Sequence, residues 1–581
     1  MNVLGITSSA ESGAALFVDD LPVAAVNEER LSRKKLDGGY PHKAIDWCLR
    51  TAGLSPEKID RICYGFSQGF VPGETLSGLV ARAVEGYGDD PLAMQIITER
   101  LVIEDRVDTE ARAEFFSQTR KKFPHAIPIH HCSHHETHRA AAFFPSPFDD
   151  ALVITADGRG DFLSLTLARM TRNPNRSQLL YRAYSWESLG YLYGRVTGLC
   201  RFTPNRHEGK VMGLSAVGNP EPARPLMRRM IDLDSQGRIK SHPGPFYRPF
   251  FTNFSDTLIE EASRFSREDL SAAVQVHLES IILGLLSRHI AETGIGHVCM
   301  AGGVFSNVKL NQKIRQLPGC HEVFIYPNMT DGGICAGAVY DWMFKNDRPP
   351  HATFPSLYLG PRIDPDRLFT LLRQQQFHPV RPAHLIADLC SLLDAEKVVG
   401  LAQGGGEFGP RALGNRSMIC SPRHPDKCTE INERLSRSEF MPFAPSIAEE
   451  LAPKCLVGYT PDCLSARHMT LSFLATPEMA MKAPAVVHVD QSVRPQVVRQ
   501  TDNPFFHELL LAWHRKSDIP ALLNTSFNRH EEAILSSEED VVEAVREGIM
   551  DALVFPPYLL VLKGAPEELA VHRDHPEREG P

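Results

Sequence analysis

Five histidines crowd into positions 130–138, in the run Ile129-His-His-Cys-Ser-His-His-Glu-Thr-His138. That composition suits a metal ion. His134 and His138 are four residues apart, so on a helix they share one face, about 6 Å apart along the axis, close enough to grip one ion. Downstream, the apolar run Ala151-Leu-Val-Ile-Thr155 leads to Asp157, at the end of a strand where α/β sheets present ligands. A surface histidine cluster near a turn is the plainer reading. The density, the spacing and the following Asp157-Gly-Arg-Gly-Asp161 turn favour the metal.

The chain is long enough, at 581 residues, for two or more domains with ample cores. Its 43% hydrophobic and 23% charged residues are ordinary for a globular protein. A net charge of −9 argues weakly against a nucleic-acid surface. No uninterrupted 18-residue apolar run occurs, so neither a membrane span nor a membrane partner is expected. The opening Met1-Asn-Val-Leu-Gly-Ile6 runs straight into a strand, and no signal peptide is expected. The 12 cysteines lack zinc-ribbon spacing and read as buried small residues in a reducing cytoplasm.

Alternation predicts strands over 2–8, 14–19 and 21–28 with a turn at Asp19-Asp20, an amphipathic helix near 42–53 and a helical block over 75–122. A strand at 151–155 opens a second hairpin ending near Met170, and 218–250 reads as an irregular excursion. Helix 268–293 places Val274, Leu278, Ile281, Ile282 and Leu285 in the core. Strands at 297–301 and 323–327 precede the Gly302-Gly303 and Thr330-Asp-Gly-Gly333 loops. Residues 346–355 read as a linker, and a separate α/β unit begins near 365, with strands at 397–402, 519–523 and 551–555. The tail after Gly564 reads as frayed.

Three glycine-bearing turns follow strands, at Ser12-Gly13, Asp157–Asp161 and Gly302-Gly303. Their order is that of an actin/hexokinase/Hsp70 nucleotide-binding fold, in which glycines let backbone N–H groups approach phosphate oxygens. Asp331 then becomes a further ligand beside His134, His138 and Asp157, and this mixed donor set suits Fe²⁺, Mn²⁺ or Zn²⁺. Lys210, in His207-Glu-Gly-Lys210, reads equally as a phosphate contact and as a surface lysine. In the second unit, Arg411 and Arg416 lie among glycines in the run from Gln403 to Ser417. With Arg494 and the small polar side chains of Asn524-Thr-Ser-Phe-Asn528, they favour an anionic, phosphorylated substrate.

Several segments together resemble the O-carbamoyltransferase family, which includes the nodulation, cephamycin, novobiocin and tobramycin carbamoyltransferases. They are Glu28-Glu-Arg-Leu-Ser-Arg-Lys-Lys35, the His134–His138 cluster with Phe143-Phe-Pro-Ser-Pro-Phe148, and Glu208-Gly-Lys-Val-Met-Gly-Leu214. Ala301-Gly-Gly-Val304 with Asn307, Glu407-Phe-Gly-Pro-Arg-Ala-Leu-Gly-Asn-Arg-Ser417, Pro442-Phe-Ala-Pro-Ser446 and Asn524–Asn528 complete the set. The resemblance implies an actin/Hsp70-like domain over 1–350, of the threonylcarbamoyladenosine-transferase kind, and a YrdC-like α/β domain over 365–581. The latter would form carbamoyl-adenylate from carbamoyl phosphate and ATP, with Mg²⁺ accompanying the nucleotide. The former would pass the carbamoyl group to a hydroxyl or amine of a small natural product or sugar.

By the same resemblance His134, His138, Asp157 and Asp331 hold a divalent metal, Fe²⁺ ahead of Mn²⁺ or Zn²⁺, with His138 and Asp157 also serving catalysis. Lys210, Gly302, Gly303 and Asn307 would line the adenylate in the first domain. Arg411, Arg416, Arg494, Asn524 and Ser526 would bind donor and nucleotide in the second. The expected setting is cytoplasmic secondary metabolism, without nucleic acid; the oligomeric state is left open, with a homodimer as one option.

Three departures stand out. Ala10 occupies the place of a family histidine expected to deprotonate the acceptor, and Glu11 is its stand-in. Gly405 replaces an arginine. Leu435, Ser438 and Met441 replace a lysine, an acid and an arginine. Either Arg434, Arg437 and Lys427 compensate, or another acyl donor is used. A related acyl-adenylate enzyme and a degenerate nucleotide-binding partner protein are the competing functions.

Overall fold

The structure, a computed structural model, describes residues 1–66, 75–123, 125–250, 254–349, 356–436 and 443–563. Part of the expected linker, the positions Arg437, Ser438 and Met441, and the tail after Gly564 lie outside the described residues. The chain divides into two compact units, one of residues 1–28 and 36–355, the other of 29–35 and 356–581.

The first unit uses one sheet plan twice. Strands β1 (Asn2–Thr7), β2 (Gly13–Val18) and β3 (Leu21–Asn27) form an antiparallel meander, and β4 (Arg61–Tyr64) and β5 (Ile129–His131) continue parallel to β1 on its other side. Asp19 and Asp20 both take positive φ, the two-residue turn that the twist of a hairpin favours. The second sheet repeats the plan with β6 (Asp150–Gly160), β7 (Leu163–Thr171) and β8 (Arg176–Tyr184) as the meander. Parallel β11 (His297–Ala301) and β12 (Glu322–Ile325) complete it, while β9 (Ile231–Leu233) and β10 (Ile239–Ser241) make a separate hairpin. The duplicated plan is the actin/Hsp70-type arrangement expected from the glycine turns. Strand β8 goes beyond that expectation, since its Arg176–Leu179 half is exposed and carries little apolar pattern. The excursion at 218–250 likewise holds a short helix, Arg224–Arg228, besides the β9–β10 hairpin.

Close backbone approaches fix the helices on these sheets. A Cβ on Gly5 would meet the Cys335 carbonyl at 1.8 Å, so the Ile334–Lys345 helix lies directly on β1. A Cβ on Gly337 would meet the Thr137 carbonyl at 2.6 Å, which sets that helix against the His134–Phe143 helix. The Arg267–Thr293 helix is capped by Ser266 and ended by Gly294 at φ 69°. It is long and apolar enough to cross a membrane, but 72% of its apolar window is buried, as befits a core helix. Val274, Leu278, Ile281, Ile282 and Leu285 are all in the core.

The second unit is built on a seven-stranded mixed sheet. Its strands are β13 (Val399–Ala402), β14 (Arg416–Cys420), β15 (Ala444–Ala448), β18 (Gln496–Val498), β19 (Leu522–Ser526), β20 (Ala552–Phe555) and β21 (Tyr558–Val561). They are ordered β18-β15-β19-β14-β13-β20-β21, and β16 (Phe473–Leu474) pairs with β17 (Ser492–Val493) apart from them. Two expectations are corrected here. Arg416 and Ser417, read as loop residues, open β14. Asn524–Ser526, read as following a strand, lie within β19, where Ser526 pairs with Ser417 and Asn524 with Ile419. Polar residues at the middle of a sheet leave no apolar periodicity to read.

Candidate metal centre and anion-binding loop

Four side chains from three distant stretches of the first unit converge. The His134–Phe143 helix begins at His134, whose backbone N–H donates to Asp161 Oδ2 at 2.7 Å. The far end of the β6–β7 turn thus satisfies the helix start. His134 Nε2 stands 2.8 Å from Asp157 Oδ2 and 3.2 Å from His138 Nε2. Both imidazole nitrogens are 3.5 Å from Asp331 Oδ1. One ligand atom from each of His134, His138, Asp157 and Asp331 lies within 4.8 Å of the other three. Gly160 makes this approach possible, because a Cβ there would strike the His134 ring at 2.1 Å. Gly302 does the same for the neighbouring loop: its φ is 101°, and a Cβ would meet the Ala156 carbonyl at 2.3 Å.

The electrostatics are those of a cation site. Burial works against charge on Asp331, but His134 and His138 outweigh it and hold the carboxyl at about 2. Burial likewise opposes charge on His134, where Asp331 and Asp157 prevail and lift the imidazole to about 9. Asp157 Oδ1 and His134 Nδ1 are buried without a hydrogen-bond partner. Two carboxylates and two imidazoles fit a divalent ion of the Fe²⁺, Mn²⁺ or Zn²⁺ class in both charge and donor type.

Sequence reasoning missed His135. Its Nδ1 lies 2.8 Å from Thr155 Oγ1, itself 2.6 Å from Thr166 Oγ1, which leaves Nε2 facing Asp157 Oδ1 at 3.7 Å. Burial pushes this imidazole down to about 4, so it stands neutral behind the carboxylate, as outer-shell partners of metal ligands do. Its position beside His134, with Thr155 two residues before Asp157, was the available signal.

Glu11, expected as a general base, is placed otherwise. Its Oε2 accepts from Thr330 Oγ1 and, at 3.1 Å, from the Gly332 N–H. It therefore clasps the loop on both sides of Asp331. Lys210 is buried in the Glu208–Leu214 helix, with Nζ 5.8 Å from the centre of the Phe202 ring, and is no surface lysine. Asn307 caps the Val308–Arg315 helix through Leu310 N–H and exchanges hydrogen bonds with Gln275. Its side chain is committed to structure. At Gly303 a Cβ would meet nothing within 4 Å, leaving open space beside the Gly302 turn.

In the second unit the two outer arginines of the expected set differ sharply from the inner one. Arg416 is buried, and its guanidinium donates to the carbonyls of Gln403, Gly404, Asn415 and Pro361 at 2.6–3.2 Å. It staples the loop through both terminal nitrogens, while its buried Nε has no partner. Glu407 braces the same loop, its Oε1 accepting from the N–H groups of Leu413, Asn415 and Arg416. Arg411 and Arg494, in contrast, have no acidic partner among the described residues. Desolvation alone lowers Arg411 to about 10, and desolvation followed by repulsion from Arg411 lowers Arg494 well below its ordinary range. Two half-buried guanidiniums close enough to repel each other, with no acidic partner among the described residues, are chemically suited to an anion.

Asn524 is buried, its Nδ2 donating to Ser446 Oγ and Gln496 Oε1 at 3.0 Å, while its Oδ1 has no partner. Ser526 is half-buried at the end of β19. Two of the three compensating cations, Lys427 and Arg434, are already engaged, and Arg437 lies outside the described residues. Lys427 pairs with Glu430 and the Glu396 carbonyl, and Arg434 with Glu430 and Asp551. A Cβ on Gly405 would meet the Tyr358 carbonyl at 2.4 Å, so this backbone takes no side chain there, and Leu435 is wholly buried.

A family model described as Carbamoyltransferase N-terminus matches residues 2–340, and one described as Carbamoyltransferase C-terminus matches residues 390–561. The chain is 31% identical to the Synechocystis protein sll1178 over 97% of both chains. It is also 31% identical to nodulation protein NolNO of Sinorhizobium fredii, over 96% of this chain and 80% of that protein. Among solved structures, the activator of 2-hydroxyisocaproyl-CoA dehydratase from Clostridium difficile covers 60% of this chain and 95% of its own. Its identity is 10% and its TM-score 0.31. With both family models matched in order, together spanning most of the polypeptide, the chain belongs to the carbamoyltransferase family and is an enzyme of that class.

Proposed function

We propose that the enzyme is ATP-dependent and takes its carbamoyl group from carbamoyl phosphate, through carbamoyl-adenylate, to a hydroxyl or amine of a small natural product or sugar. In this reading water cleaves the donor to carbamate and orthophosphate, a carbamate oxygen bonds to the α-phosphorus of ATP as pyrophosphate leaves, and the mixed carbamoyl–phosphate anhydride keeps the AMP moiety. The acceptor oxygen or nitrogen then bonds to the carbamoyl carbon, its proton is released and AMP departs. The observation that carries the reading is the Arg411–Arg494 pair, which has no neutralising carboxylate among the described residues and matches a phosphate dianion in charge.

The acceptor would react in the first unit, where His134, His138, Asp157 and Asp331 would hold the ion. A divalent ion held by those residues supplies Lewis acidity toward the anhydride's oxygens. Fe²⁺ is favoured, with Mn²⁺ and Zn²⁺ the other choices for this donor set. Glu11 braces the loop on both sides of Asp331, and the neutral ring of His135 packs behind Asp157 without a hydrogen bond to it. Lys210, sequestered from bulk water, is the group suited to the adenylate's phosphate. The 1–350 region would carry out transfer, and the 365–581 region adenylate formation.

The test is incubation with ATP and carbamoyl phosphate across divalent metals. Donor-dependent pyrophosphate release supports the reading, and none from folded protein overturns it. A second reading, activation of a different carboxylate or carbamate, draws on Gly405 and Leu435, which stand where the resemblance expects two cations; Gly405 has no space for a side chain and Leu435 is an apolar, buried residue. Pyrophosphate release that ignores carbamoyl phosphate but responds to another donor favours that reading.

A further inference from the structure

Behind the first cluster the same unit holds a second convergence, of different chemistry. His130 lies on β5, Cys132 directly follows that strand, and Asp341 projects from the Ile334–Lys345 helix. One ligand atom from each lies within 4.8 Å of the other two. His130 Nε2 is 2.9 Å from Asp341 Oδ2. Cys132 and Asp341 are buried, while His130 is half-buried and gives a way in from solvent. Thr137 Oγ1 stands 3.2 Å from the Cys132 sulfur, placed to donate to a thiolate. Cys63, paired in register with His130 across β4 and β5, adds another buried thiol on the neighbouring strand.

A bare ion-pair network also describes part of this cluster. Lys345 Nζ reaches Asp341 Oδ2 at 3.0 Å and Glu136 Oε2 at 3.1 Å. That network accounts for Asp341, His130, Lys345 and Glu136; the adjoining Cys132 thiol stands outside it, donating to the Tyr64 carbonyl at 3.4 Å.

We propose that His130, Cys132 and Asp341 form a second metal site, for a thiophilic divalent ion of the zinc type with water completing its shell. Imidazole, thiolate and carboxylate together are a borderline-soft donor set, unlike the sulfur-free first cluster. On binding, the Cys132 S–H bond breaks, a sulfur–metal bond forms and the proton leaves to solvent. His130 supplies the Nε2 lone pair with its proton on Nδ1, and Lys345 gives up Asp341 and keeps Glu136. The ion would tie β5, which leads into His134, to the helix that leaves Asp331, and so fix the spacing of the first centre from behind.

Sulfur makes the two sites separable in one experiment. Full-length protein is titrated with Co²⁺, following near-ultraviolet thiolate-to-cobalt charge transfer, and bound metal is counted by elemental analysis. Two equivalents and a charge-transfer band that Zn²⁺ displaces are expected. Cys132→Ser should lose the band and one equivalent while keeping the other. His130→Ala should lose the same equivalent, and His138→Ala should leave the band in place. Because the unsubstituted protein is read first, misfolding of a variant does not blunt the test. A single equivalent without the band, or a band that survives Cys132→Ser, overturns the proposal.

Discussion

The Nε2 atoms of His134 and His138 face each other at 3.2 Å, with Asp157 and Asp331 oxygens on either side. Two imidazole nitrogens approach so closely only by sharing a proton or a cation, and two carboxylates make the cation the better occupant. His138→Ala is therefore expected to lose bound metal and carbamoyl transfer together. Pyrophosphate release, assigned to the other unit, should persist. Metal analysis beside a pyrophosphate assay checks this, and loss of both activities in a folded variant would refute the division of labour.

Arg411 and Arg416 should separate cleanly. Arg411→Ala removes a guanidinium that has no acidic partner, so pyrophosphate release should fall below detection with melting temperature unchanged or raised. Arg416→Ala strips donors from four carbonyls and should cost roughly 3 kcal/mol of stability. Thermal melts and initial rates of both variants distinguish the roles. An Arg416→Ala protein of normal stability but without activity would return that arginine to the substrate.

Glu11 is a clasp in this structure, which gives Glu11→Gln and Glu11→Ala different outcomes. The amide oxygen of Gln can still accept from Thr330 and Gly332, so transfer should largely survive. Alanine frees the Asp331 loop and should weaken metal binding by about 10–100-fold, as loss of an outer-shell partner does. Were Glu11 the general base, Glu11→Gln would abolish transfer with metal retained.

Burial lifts the Glu187 carboxyl to about 7, although the Tyr184 N–H and nearby Arg238 favour its charge. A carboxyl raised above its unfolded value binds its proton more tightly in the folded state. Its contribution is thus most favourable below about pH 4.5 and declines as pH rises towards 7. Glu187→Gln should remove that slope, worth at most about 3 kcal/mol across the interval, in urea melts at several pH values. An unchanged slope would mean that other groups dominate.

How much was legible from the chain depends on the kind of signal. Apolar alternation sufficed for β1–β3, β6, β11 and the Arg267–Thr293 helix, since each buries a face or a run of side chains. It failed at β8, an exposed edge strand, and at β14 and β19, which carry Arg416, Ser417, Asn524 and Ser526.

The sequence by itself determined the donor set and its local geometry: an i, i+4 histidine pair at a helix start, an acid at a strand end, glycines where no Cβ fits. Those depend on near neighbours along the chain and on steric limits that every backbone obeys. Only the tertiary structure decided which arginine stays unneutralised, that Glu11 holds Asp331 from more than 300 residues away, and that His135 stands behind Asp157. Charge pairing and hydrogen bonding are set by distance in space, and no pattern in the linear order encodes which groups will meet.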